Sequence, residues 1–150
     1  MLIIGQAEYE EIRRHGEDTY PHECCGIMLG VIEDDTRTVK STIRCGNTRD
    51  DRPQDRFNID PKELIAAMKR ARNEGVDIIG FYHSHPDCPA QASKTDLAEA
   101  HYLGNSYVIT RVDKRVAQET NSFALRGTVE EDKYFEAEEV KVEAAVVGRG

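Results

Sequence analysis

The sequence predicts an α/β protein, a mixed sheet flanked by helices, and three observations carry that expectation. Val76 to Tyr82 is a nearly continuous apolar run, the pattern of a strand covered on both faces. Just before it, Asp60-Pro61-x-Glu63 reads as a helix start, with Asp60 as N-cap, Pro61 at the first helical position and Glu63 at the third. Around this pair, β-favouring runs and helical patterns follow one another so that helices can pack on a single sheet.

Taken in order, Leu2 to Ile4 is a short strand or the lead into one. Glu8 to about Glu17 is a polar helix whose Tyr9, Ile12 and His15 share one narrow packing face. His15 and His22 read as surface or capping histidines rather than ligands. Pro21 closes this segment, and His22 to Ile32 is an apolar strand with an acid, Glu23, at its entrance. Glu33 to Thr36 links it to Arg37 to Cys45 as a hairpin. Gly46 to Gln54 is a turn-rich loop, and Arg56 to Ile59 returns briefly to an extended pattern. The helix begun at Asp60 is expected to bury Leu64, Ile65, Met68 and Ala71, and Gly75 is its C-cap. The central strand then runs into His83 and His85 and ends at Pro86, which has no N–H to give a ladder. Ser93-Lys94-Thr95-Asp96 opens a further helix, Leu97 to Leu103, stopped by Gly104. Tyr107 to Thr110, Ser122 to Leu125 and Val140 to Val142 are strands, the last an edge strand in an acidic tail. Residues 145–150 are expected to fray.

The 150 residues show no repeat and no linker composition, so residues 1–150 are expected to form one domain. Apolar residues at 39%, charged residues at 32% and a net charge of −8 describe a soluble globular protein. Nucleic acid is not an expected partner, because phosphate contacts need a basic face. No stretch approaches the roughly 20 apolar residues of a membrane span, and Met1 to Gln6 is too short for a signal peptide. A cytoplasmic location is the expectation. Cys24, Cys25, Cys45 and Cys88 lack paired spacing, so reduced thiols are expected, with adjacent Cys24 and Cys25 as small buried hydrophobes.

The candidate chemistry lies between Ile78 and Asp96. Strand residues two apart project to the same side, so the Cα atoms of His83 and His85 stand roughly 6.6 Å apart on one face. Two such imidazoles can share a metal ion. The turn after Pro86 brings Ser93 and Asp96 back towards them, and two His with one carboxylate make a zinc set that leaves one position for water. Taken alone, Ser93-x-x-Asp96 is a capping box, and Glu23 is an ordinary acid at a strand entrance. Two same-face histidines followed after a short turn by a carboxylate seldom arise for packing alone.

His83-x-His85, seven residues, then Ser93-x-x-Asp96, with Glu23 far upstream, resembles the signature of the JAMM (MPN-plus) metalloproteases. Tyr20 to Gly30 is similar to that family's glutamate strand, and Phe57-Asn58-Ile59-Asp60-Pro61 to the segment leading into its second helix. The likeness covers about Leu2 to Thr110 and is strongest to the small stand-alone prokaryotic type. Ala92 departs from the pattern, since many relatives carry Pro before the serine. The resemblance implies the JAMM/MPN, cytidine-deaminase-like architecture. It implies one zinc per chain on His83, His85 and Asp96, with a zinc-bound water activated by Glu23 and Ser93 donating to the oxyanion. It also implies peptide or isopeptide cleavage at the C-terminus of ubiquitin-like or sulfur-carrier proteins, whose Gly-Gly end would thread into the site. The alternatives are a non-catalytic MPN-type scaffold and a deubiquitinase-like isopeptidase with another substrate. A cytidine deaminase is disfavoured, because His85 stands where H-x-E needs an acid and Cys88 has no partner cysteine. Cys45 and Cys88 read as ordinary thiols rather than sulfur-handling groups.

Overall fold

The computed structural model describes residues 1–46 and 59–144. Strand β1 (Leu2–Gly5) leads into helix α1 (Gln6–Thr19), followed by the hairpin of β2 (Cys25–Glu33) and β3 (Thr36–Cys45). Helix α2 (Pro61–Glu74), strand β4 (Asp77–Pro86) and helix α3 (Lys94–Glu99) come next, then β5 (Ser106–Asp113), β6 (Val116–Arg126), β7 (Tyr134–Glu138) and β8 (Val140–Glu143). These strands form one sheet in the order β7-β6-β5-β4-β2-β3-β1-β8. The sheet is mixed, since β4 pairs antiparallel with β2 and parallel with β5. The expected α/β class is therefore the observed one. The readings made for 47–58 and for the frayed tail at 145–150 lie outside the described residues.

Helices cover both faces of the sheet. On one face α1 packs through Ile12 against Leu2, Ile4, Met28, Val39, Ile79, Tyr82 and Val108. The approach is close, because a Cβ on Gly16 would lie 2.9 Å from the Val112 side chain and 3.2 Å from Ser84 Cβ. On the other face Ala67 and Ala71 of α2 meet Cys25, Ile27, Leu29, Phe81 and Tyr107. Each fully buried Ile or Leu here contributes about 1.5–3 kcal/mol of transfer free energy.

Strands β7 and β8 stand at opposite ends of the order, yet Glu139 alone separates them in the chain. The sheet must therefore curl until its edges meet. A buried polar cluster fills the place where they do. Arg37 on β3 donates to Glu138 at 2.7 Å and to Ser106 at 2.6 Å, while the Ser106 and Ser122 hydroxyls donate to Glu138 at 2.6 and 2.7 Å.

Four details differ from the sequence reading. The buried stripe of α2 runs through Ala67 and Ala71 with Leu64 half-buried beside them, so Ile65 and Met68, one step round the helix, face outward at 52% and 53% exposed. Helix α3 ends at Glu99, where the Ala100 N–H closes on the Leu97 carbonyl, and Tyr102 instead lays its ring against Phe81. Strand β7 was not anticipated. His15 is buried rather than on the surface, its Nδ1 2.7 Å from the Tyr82 hydroxyl. The Asp60 cap on Lys62 N–H and Gly75 at φ 70° stand where the sequence puts them.

Candidate metal centre

The two histidines sit at the carboxyl end of β4, where the strand is buried by neighbours on either side. Their Nε2 atoms approach to 3.1 Å. Asp96, in the first turn of α3, faces both rings: Oδ1 lies 3.2 Å from His83 Nε2 and Oδ2 lies 3.1 Å from His85 Nε2. The α3 capping box sets the position of that carboxylate. Ser93 N–H donates to Asp96 Oδ2 at 2.8 Å, and Asp96 N–H donates to Ser93 Oγ at 3.0 Å. The cap expected from Ser93-x-x-Asp96 thus holds the very side chain that faces the histidines.

Strand register brings in Glu23. Cys25 pairs with His83 in the antiparallel β2–β4 ladder, and Ser84 N–H bonds the Cys24 carbonyl at 3.3 Å. Two residues further on, the same register sets Glu23 beside His85, with paired side chains on one face. Glu23 is 3% exposed, and one ligating atom from each of Glu23, His83 and His85 lies within 4.8 Å of the others. All five residues singled out in the sequence are brought together, Glu23 through the histidines and Ser93 through Asp96.

The protonation pattern follows from the partners. His85 Nδ1 stands 2.8 Å from the Pro89 carbonyl, which can only accept, so Nδ1 carries a hydrogen and Nε2 faces His83 and Asp96. Burial works against a charged His85, but Asp96 and the Pro89 carbonyl outweigh it and the pKa rises. For His83 burial dominates, and its pKa is lowered despite Asp96. Burial opposes ionisation of Asp96 too, yet its bonds to His83, His85 and Ser93 hold the carboxyl well below the usual carboxylate range. Two ring nitrogens and a carboxylate therefore converge on a point that favours a positive charge. The donor set suits a metal ion.

The family model for prokaryotic homologs of the JAB domain matches residues 5–126. The chain belongs to that family. As a small prokaryotic JAB protein it agrees with the kinship read from the JAMM/MPN-plus signature. It is 33% identical over 96 residues to a desampylase of Haloferax volcanii, covering 64% of this chain and 67% of that protein. It is 31% identical over 102 residues to a probable TtuB-protein conjugate cleaving protease of Thermus thermophilus, covering 68% and 65%. A solution structure of a Desulfitobacterium hafniense protein superposes with a TM-score of 0.82 at 26% identity, covering 98% of this chain and 96% of that one. The relatives' names agree with the expected enzyme class, a JAMM-type isopeptidase.

In this JAB domain the sequence reading missed the Pro89 carbonyl, which orients His85. Only its position four residues after that histidine could have marked it. The loop carrying it is pinned by Asn121, whose amide donates to the Ala90 carbonyl at 2.9 Å. The cysteines are all free, and burial pushes the Cys24 and Cys45 thiols up to about 12. Both are protonated, buried hydrophobes at neutral pH. Among the described residues no helix is long and apolar enough to cross a membrane.

Proposed function

We propose that this chain, as one catalytic domain over residues 1–150, is a zinc-dependent hydrolase working in the cytoplasm. Its substrates are peptide or isopeptide bonds at the C-terminus of ubiquitin-like or sulfur-carrier proteins. One observation carries the reading: His83 Nε2 and His85 Nε2 stand 3.1 Å apart, and the two oxygens of the Asp96 carboxylate lie 3.2 and 3.1 Å from them in turn. Two imidazole nitrogens and a carboxylate facing one another at this range are donor types that zinc takes, so these three residues would hold the ion. The substrate class is supported by the Haloferax relative, named a desampylase, and the Thermus relative, named a probable TtuB-protein conjugate cleaving protease.

His83, His85 and Asp96 would hold the zinc, which would supply a Lewis acid and make water more acidic at the site. Glu23, buried beside both histidines, accepts the proton of the attacking water and returns it to the departing amine. Ser93 Oγ accepts from Asp96 N–H and still carries its own hydrogen, which it donates to the oxyanion developing on the scissile carbonyl. His85 keeps its Nδ1 hydrogen on Pro89 throughout, and Asp96 stays ionised.

The test is direct. Zinc-loaded protein is mixed with a ubiquitin-like carrier joined through its Gly-Gly end to a lysine side chain, and products are read by mass spectrometry. Free carrier with an intact Gly-Gly terminus is the expected result. An intact conjugate with zinc bound would refute hydrolysis and favour a binding scaffold.

A further inference from the structure

Ser84 stands between the two histidines on β4 and so points to the opposite face of the sheet. There it is fully buried under α1, beside Gly16. A hydroxyl in such a place is costly unless it is hydrogen-bonded, and a small apolar residue would fill the space without that cost. The bonds Ser84 makes explain it. Its Oγ accepts from Cys24 N–H at 2.8 Å, and its own N–H donates to the Cys24 carbonyl at 3.3 Å.

Regular β2 structure begins at Cys25, so these two bonds tie the residues just before it to the histidine strand. On the far side of Glu23, His22 N–H donates to the Thr19 carbonyl at 2.9 Å. Glu23 is thereby held between two anchors, one on α1 and one on the strand that carries the candidate ligands.

We propose that Ser84 is a positioning residue for the hydrolysis: by gripping the backbone of Cys24, it sets the place of Glu23 relative to His83 and His85. The inference rests on Glu23 acting as the base. Proton transfer needs hydrogen-bond reach, and a displacement of about 1 Å can cost on the order of 100-fold in rate. Because Glu23 adjoins Cys24, its carboxylate shifts with the Cys24 backbone. The histidines, paired along β4, do not.

The experiment compares zinc-loaded wild-type protein with Ser84→Ala and Cys24→Ala on the carrier–lysine conjugate. It reads kcat and KM, zinc per chain, and hydrogen exchange at the Cys24 amide. Ser84→Ala is expected to keep its zinc and its KM within about twofold, to lose roughly 10- to 100-fold in kcat, and to exchange the Cys24 amide faster. Cys24→Ala removes the thiol that hydrogen-bonds the Ser84 side chain but leaves the two backbone bonds in place, and should turn over within about twofold of the wild-type rate. Ser84→Cys, of similar size with a weaker acceptor, should fall between wild type and Ser84→Ala, and serves if the alanine variant does not fold. Unchanged kcat in Ser84→Ala, a kcat loss matched by zinc loss, or an equal loss in Cys24→Ala overturns the inference. An unaltered Cys24 exchange rate in Ser84→Ala sinks it alone, whereas a wild-type protein that leaves the conjugate intact sinks the hydrolase reading as well.

Discussion

Replacing Glu138 with Ala tests what closes the curled sheet. The Arg37 side chain is 2% exposed and that of Glu138 4%, with the guanidinium 2.7 Å from Oε1. Two hydroxyls, of Ser106 and Ser122, donate to the other oxygen. Removing the carboxylate leaves a buried cation without its counter-charge, which costs about 3–5 kcal/mol. Asp35, 3.3 Å from Arg37, offsets little of this because its side chain is 61% exposed. At about 2–4 °C per kcal/mol for a chain of this size, the melting temperature should fall by about 10 °C. Calorimetry at fixed zinc concentration measures it, and Glu138→Gln, which keeps one acceptor, should lose less. The same bonds lower the Glu138 pKa, although burial works the other way. The contribution is therefore present above the ordinary carboxyl pKa and is lost as pH falls through the lowered one. A fall of less than about 3 °C in Glu138→Ala would refute the idea that this cluster holds the sheet edges together.

Two other predictions concern His15 and the metal. Burial, aided by Arg44 and opposed by Glu11 and Asp18, pushes the His15 pKa down to about 4. The unfolded chain then binds more protons between that value and about 6.5, so this stabilisation is full above about 6.5 and is lost as pH falls. After allowance for solvent screening the loss is about 2 kcal/mol, and denaturant midpoints for wild type and His15→Gln should converge at acid pH. Parallel pH profiles would contradict it. His83→Ala and Asp96→Ala should each reduce zinc from about one ion per chain to near none by metal analysis, and undiminished zinc would remove them from the ligand set.

What the sequence made legible was local chemistry. Asp60-Pro61 and Gly75 bound α2 because caps are satisfied within a few residues, and the His83-x-His85 pair follows from strand periodicity alone. The inner face of α2 was misread because periodicity marks the large apolar residues, whereas contact with the sheet is made by Ala67 and Ala71. Strand β7 was invisible because Glu138 and its neighbours look like a solvated acidic tail. Its partner Arg37 lies 101 residues away in the chain. Glu23 was reachable only through a resemblance, since what makes it more than an acid at a strand entrance is the β2–β4 register.

Turnover by zinc-loaded Glu23→Gln separates metal binding from proton transfer more directly than any other measurement. Glutamine is nearly the same shape but cannot take up the proton, and the contacts among His83, His85 and Asp96 are left unaltered. The variant should hold about one zinc per chain and lose on the order of 100-fold or more in cleavage of the carrier–lysine conjugate. Cleavage at the wild-type rate with zinc in place would contradict Glu23 as the base, and with it the proposed mechanism.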